Sequence, residues 1–230
     1  MPTPLDTSTE RSLIEQIDAR IRSGEPPYAR GYQNLVYLGE SGGRRFFVKA
    51  AVGGGPTGLL RRWMLRGEHG AYQRLTGFAG SPHCYGLIGG RYLVLEYIDG
   101  VSLRSGRIED RRTYFDTLFA HISELHRHGV AHADLKRKEN ILVIDGRLPC
   151  LVDFGAAIVR KPGFAPVNHY IYDLACRFDF NAWAKLKYQG RMEELTPEDR
   201  PYYRRTAIEI LARALKRPYI RLKRRLVGRR

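Results

Sequence analysis

Four side chains in this sequence stand close enough in the chain to do chemistry together. Asp134, Lys136 and Asn140 lie within His132-Ala133-Asp134-Leu135-Lys136-Arg137-Lys138-Glu139-Asn140-Ile141-Leu142, and Asp153 heads Asp153-Phe154-Gly155. Phosphoryl transfer calls for this inventory. One carboxylate orients or deprotonates an attacking hydroxyl, and further oxygen ligands hold magnesium. A cation such as Lys136 would neutralise charge on the transferring group. An isolated Asp-Phe-Gly would make only a turn after a strand. Here the two motifs occur in order, linked by the apolar runs 141–144 and 148–152, which read as the strands of a hairpin.

That spacing resembles the catalytic loop and magnesium loop of the protein-kinase superfamily, with Ala133 where the family usually has Arg. The resemblance runs from about Tyr28 to Lys187. It implies ATP as phosphoryl donor, Mg2+ held by Asn140 and Asp153, and catalytic roles for Asp134 and Lys136. Lys49, closing Phe46-Phe47-Val48-Lys49, is similar to the family's nucleotide-binding lysine, and Glu68 to the acid that holds it on the phosphates. The backbone at Glu96 and Ile98 would pair with adenine, with Leu95 behind it. His132 is expected to brace backbone near the magnesium loop. A buried aspartate supporting the catalytic loop is expected at Asp173, with Asp179 the alternative.

The sequence also departs from the family. Of the three expected loop glycines only Gly31 is present, in Ala29-Arg30-Gly31-Tyr32-Gln33-Asn34. Gly53-Gly54-Gly55-Pro56-Thr57-Gly58 follows Lys49 and reads as a flexible connection. No Ala-Pro-Glu occurs, the nearest text being Phe164-Ala165-Pro166-Val167, and no Ser or Thr lies between Gly155 and Thr196. A segment so short offers little platform for an extended peptide.

The elements that must position these groups are legible in part. Thr7 and Glu10 suggest a capping box, and Leu13, Ile14, Ile17 and Ile21 then recur at helical spacing until Gly24. A hairpin is expected over 35–50 with its turn at Ser41-Gly42-Gly43. Helices are expected from Leu59 to Leu75, from Arg111 to His128 with Gly129 as its cap, and over Tyr172 to Lys187. Thr196-Pro197-Glu198-Asp199 looks like a further helix start.

With 43% hydrophobic and 27% charged residues, the composition is that of an ordinary soluble globular chain. No apolar run reaches the roughly 20 residues that span a bilayer. The N-terminus lacks the basic and apolar regions of a signal peptide, and Cys84, Cys150 and Cys176 lack metal-ligand spacing, so reduced thiols are expected. The net charge of +15 favours an anionic partner. The basic amphipathic tail, 217–230, could meet an anionic membrane surface, bind nucleic acid or pack on its own domain, with nucleic acid the least expected.

The fold class expected is α+β, a bilobal protein-kinase-like fold with a shortened C-terminal lobe. Its parts would be an N-terminal helix and linker (1–27), an N-lobe (28–98), a C-lobe (99–216) and the tail (217–230). Among kinase-like families the shortness, thin glycine loop and missing anchor are most similar to bacterial lipopolysaccharide-core kinases, with RIO-type atypical kinases next. The expected acceptor is therefore an anionic glycolipid or lipid-linked sugar. The expected location is the cytoplasm, peripheral on the cytoplasmic face of the inner membrane. A protein acceptor, as in RIO-type kinases, is the alternative, and a pseudokinase scaffold the second alternative.

Overall fold

The computed structural model describes residues 5–30 and 34–204 of the chain. Helix α1 (Thr7–Ser23) precedes strands β1 (Ala29–Arg30), β2 (Leu35–Ser41) and β3 (Arg44–Ala50), helix α2 (Gly55–Arg74), and strands β4 (Cys84–Ile88) and β5 (Tyr92–Glu96). There follow β6 (Val101–Ser102), α3 (Arg111–Arg127), β7 (Val130–Ala131), β8 (Ile141–Ile144), β9 (Leu148–Leu151), β10 (Ile158–Val159) and α4 (Pro166–Lys187). The fold is α+β, in keeping with a kinase-like fold.

The first five strands form one antiparallel sheet in the order β1-β2-β3-β5-β4. Gly42 and Gly43 both take positive φ, 57° and 71°, as a two-residue hairpin turn requires. Side chains alternate across the sheet and so feed two cores. Tyr92 and Val94 join Tyr37, Phe46 and Val48 beneath Leu13 and Ile17 of α1. Leu93 and Leu95 face the other way, into a core shared with Leu65 and Tyr72 of α2, Leu118 of α3 and Trp183 of α4. Gly39 is tight against α1: a Cβ there would lie 2.7 Å from Leu13 Cδ2.

Two smaller sheets frame the chemistry-bearing loops. β8 and β9 make the expected hairpin, with β6 on its edge, and β7 pairs with β10. The three cysteines are free thiols. No helix of the described residues is long and apolar enough to cross a membrane.

Several boundaries differ from expectation. The N-cap of α1 is Asp6, whose carboxylate accepts from Thr9 N at 2.8 Å and Ser8 Oγ at 2.5 Å, so Thr7 is already helical. Helix α2 begins at Gly55, with proline in its first turn, so four of the six residues of the glycine tract are helix and not connector. Gly58 must be small, since a Cβ would sit 2.4 Å from the Gly53 carbonyl oxygen. Helix α4 likewise starts at Pro166, ahead of Tyr172. Thr196 to Asp199 forms a turn leading to a short 3-10 segment, Arg200–Tyr202, and not an α-helix start among the described residues. Gly31 and the basic tail lie outside the described residues.

Candidate active site

The catalytic-loop stretch begins where α3 ends. Gly129, at φ 72°, donates from its N–H to the His126 carbonyl at 2.9 Å and turns the chain into β7. The next backbone bends sharply, with Ala133 in the left-handed region at φ 65°. Consecutive N–H groups, of His132 and Ala133, thereby converge on the two oxygens of one carboxylate, Asp179, each at 2.8 Å. His126 Nε2 lies 3.0 Å from the same group, and Asp179 is wholly enclosed. The brace is therefore Asp179 and not Asp173. On α4, Asp179 shares the inward side with Tyr172, Ala175 and Ala182, while Asp173 falls on the exposed side.

Further along, Asp134 keeps 21% of its side chain exposed. Asn140, buried after it, donates from Nδ2 to the Asp134 carbonyl at 3.0 Å and lies 3.4 Å from Asp134 Oδ2. Its backbone carbonyl accepts from Val152 N at 3.0 Å, tying the loop to the residue before Asp153. Lys136 is exposed and makes no ion pair among the described residues. Arg137 approaches Asp134 only to 3.9 Å.

Three elements meet at Lys49. From β3, its Nζ reaches Glu68 Oε1 on α2 at 2.6 Å and Asp153 Oδ1 beyond β9 at 2.7 Å. Burial opposes the ammonium, but the two carboxylates outweigh it and hold the Lys49 pKa above its ordinary value. Burial lifts the Glu68 carboxyl in spite of Lys49. At the more open Asp153 burial also works upward, but Lys49 prevails and the pKa is lowered. One ammonium between two carboxylates leaves the ionised cluster net negative, an environment that favours a further cation.

Asp153 itself takes a left-handed conformation, φ 66°. Phe154 turns inward and packs between Tyr72 of α2, ring centroids 5.0 Å apart, and His132, at 4.9 Å. The His132 Nε2 lies 3.0 Å from the Val152 carbonyl oxygen. A continuous line of contacts thus joins α2, the Asp-Phe-Gly turn, the catalytic loop and Asp179. Tyr72 was not singled out from sequence, although its position one helical turn after Glu68 places it on the same inward side.

A magnesium ion fits the donors present. Asn140 and Asp153 offer an amide and a carboxylate, both hard oxygen ligands. Among the described residues no group of three or more His, Cys, Asp or Glu could form a metal cage. Mg2+ is commonly held by one or two protein oxygens, with water and phosphate oxygens completing its shell, and these two donors would suffice for it. At the end of β5, Glu96 donates from N to the His83 carbonyl at 2.8 Å and accepts from His83 N on Oε2 at 3.0 Å. Its side chain is thereby held, and the chain passes on to the partly buried Ile98. Gly31, proposed for the phosphates, is outside the described residues.

No family model matches the chain. A stretch of 148 residues, 58% of the chain, is 31% identical to serine/threonine-protein kinase greatwall of Homo sapiens. Another of 68 residues, 28% of the chain, is 40% identical to serine/threonine-protein kinase D of Synechocystis sp.. A third of 53 residues, 23% of the chain, is 42% identical to dual specificity protein kinase Ttk of Danio rerio. The matched stretches cover 16%, 14% and 5% of those relatives' own lengths, so the chain corresponds to a small part of each. These partial likenesses support a phosphotransferase of kinase type. The relatives named are protein kinases, which favours the protein-kinase alternative over the sugar-kinase expectation.

Proposed function

We propose that this chain is a small ATP-dependent kinase that phosphorylates serine or threonine hydroxyls of a protein acceptor. The observation that carries the reading is the Lys49–Glu68–Asp153 cluster, joined through Phe154 and His132 to a loop that presents Asp134. The acceptor class rests on the names of the relatives. The parts expected over 28–98 and 99–216 would act as two lobes with the nucleotide between them.

In this mechanism Lys49, oriented by Glu68, binds the α- and β-phosphates of ATP, and the backbone at Glu96 and Ile98 receives adenine. Asn140 and Asp153 would hold Mg2+, which when bound supplies positive charge to the phosphate oxygens. Asp134 accepts the proton of the acceptor hydroxyl. As that hydroxyl oxygen bonds to the γ-phosphorus, the bond from γ-phosphorus to the β-phosphate bridging oxygen breaks, releasing ADP. Lys136 stabilises the charge on the moving phosphoryl group. Catalysis is mainly positioning and electrostatics.

A second reading, transfer to a sugar hydroxyl of an envelope glycolipid, is favoured by one feature. From Asp153 the chain reaches α4 at Pro166 with only a 3-10 turn, Phe154–Ala156, and the two-residue β10 between, which leaves little surface for an extended peptide. Both readings suit a cytoplasmic protein near anionic partners.

The test is transfer from γ-labelled ATP with Mg2+ into a lysate of the source organism, with Asp134→Ala as control. Label in protein bands that disappears in the control supports the main reading. Label in the glycolipid fraction moves the assignment to the sugar kinase. ATP binding without label in either fraction refutes both and leaves a pseudokinase scaffold.

A further inference from the structure

The first turns of α2 carry a feature that phosphoryl transfer does not use. Leu59, Leu60 and Trp63 are exposed at 67%, 56% and 69%. Their spacing puts them on one outward side of the helix, away from the buried Leu65, Glu68 and Tyr72. From Gly55 to Gly67 there is no acidic residue, while Arg61, Arg62 and Arg66 interleave with the apolar ones. Arg61 secures the helix start through the Val52 carbonyl. Arg66 is exposed, while Arg62 is half-buried with its Nε enclosed and unpartnered among the described residues.

Large apolar side chains gathered on one exposed side, with flanking charge of one sign, are the make-up of a helix that lies in a bilayer interface. Leucines enter the acyl boundary, tryptophan sits at headgroup level, and arginines meet anionic headgroups. Charge complementarity selects the partner, because the whole chain carries +15 and this helix start adds no carboxylate to oppose it. A similar exposed group occurs at the start of α4, where Phe164 is 97% and Val167 72% exposed beside the exposed Arg160 and Lys161. That group follows β10, which packs on α2.

We propose that the exposed face at the start of α2 docks the protein on an anionic lipid bilayer, with Trp63 seated at the headgroup boundary. The docked helix is the one that bears Glu68, so membrane contact and the Lys49 cluster share one rigid element. The proposal is independent of the acceptor and of the tail at 217–230.

The chain has two tryptophans, and Trp183 is 1% exposed, so a change of emission on adding vesicles reports Trp63. The experiment adds vesicles of phosphatidylcholine, with or without phosphatidylglycerol, to the full chain and includes brominated acyl chains as quenchers. The expected result is a blue shift and quenching with anionic vesicles, weakened by salt. A Leu60→Glu/Trp63→Glu variant, changed only at exposed positions, should co-sediment with the anionic vesicles at least ~10-fold more weakly while keeping its far-ultraviolet circular dichroism and thermal midpoint. Vesicle binding without quenching, or unchanged in the variant, overturns the proposal and assigns the contact to another basic surface. Absence of vesicle binding overturns it too. A shift that follows protein concentration alone overturns it in favour of a contact between copies of the chain.

Discussion

Lys49 makes contacts whose loss would be felt in stability as well as in chemistry. Its ammonium is the counter-charge for Glu68, which is only 2% exposed. Replacing it by methionine leaves that carboxylate enclosed and unpaired, a change that costs about 3–5 kcal/mol when one partner of a buried pair is removed. Urea unfolding of Lys49→Met should show that loss, and Lys49→Met/Glu68→Leu should recover part of it by removing the stranded charge. The two carboxylates respond to pH with opposite sign. Asp153, held low, contributes stability that is present above its unfolded pKa and lost as pH falls through the folded one. Glu68, held high, favours the folded state at low pH and loses that contribution as pH rises. Asp134 has no such structural burden. On the proposed reading, Asp134→Ala lowers turnover about 10²–10⁴-fold, the usual worth of a general base, while ATP affinity stays near the parent value in a binding titration. At this scale the sequence was most readable, because Asp134, Asn140 and Asp153 are recognisable by type and spacing. It failed where choice depended on helix phase. Asp173 and Asp179 are equally acidic, and only the packing of α4, which buries Tyr172, Ala175 and Ala182 along one side, shows that Asp179 is the one turned inward.

Elements obey rules that the sequence carried incompletely. The hairpin of β2 and β3 was readable because its two glycines permit one kind of turn. Starts of helices were less so, because several residues competed for each cap. Asp6 wins over Thr7 since its carboxylate serves Thr9 N and two hydroxyls together. Those bonds hold the Asp6 carboxyl down at about 2 against an ordinary 3.8. A depressed carboxylate stabilises above its unfolded pKa and ceases to do so as pH falls through the folded value. Asp6→Ala should therefore melt below the parent at pH 7, with the gap in thermal midpoint closing between about pH 4 and pH 2. The seat of α1 on the sheet gives a second check. Gly39→Ala brings a Cβ to 2.7 Å from Leu13 Cδ2, an overpacking that costs about 1–3 kcal/mol. Leu13→Ala alone costs about 2–5 kcal/mol by leaving a cavity. In the double variant the new methyl enters the vacated space, so urea unfolding should give less than the sum of the two losses.

At the scale of the molecule, one core continues from the sheet through α2 into α3 and α4, and the second core seals α1 to the opposite face of the sheet. The sequence conveyed the class of fold, since alternating strands give way to longer helices after about Glu96. It did not convey how the cores join, because Tyr72, Phe154 and His132 lie far apart in the chain and reveal their contact only in three dimensions. The same joined core has a bearing on control. Glu68 already grips Lys49, and Asp179 already holds the loop, while the passage from Gly155 to Pro166 contains no serine, threonine or tyrosine. A cell has no hydroxyl in that passage on which to write an instruction. On the proposed reading the cluster is assembled without a phosphate in that passage, so the unmodified protein should already transfer label.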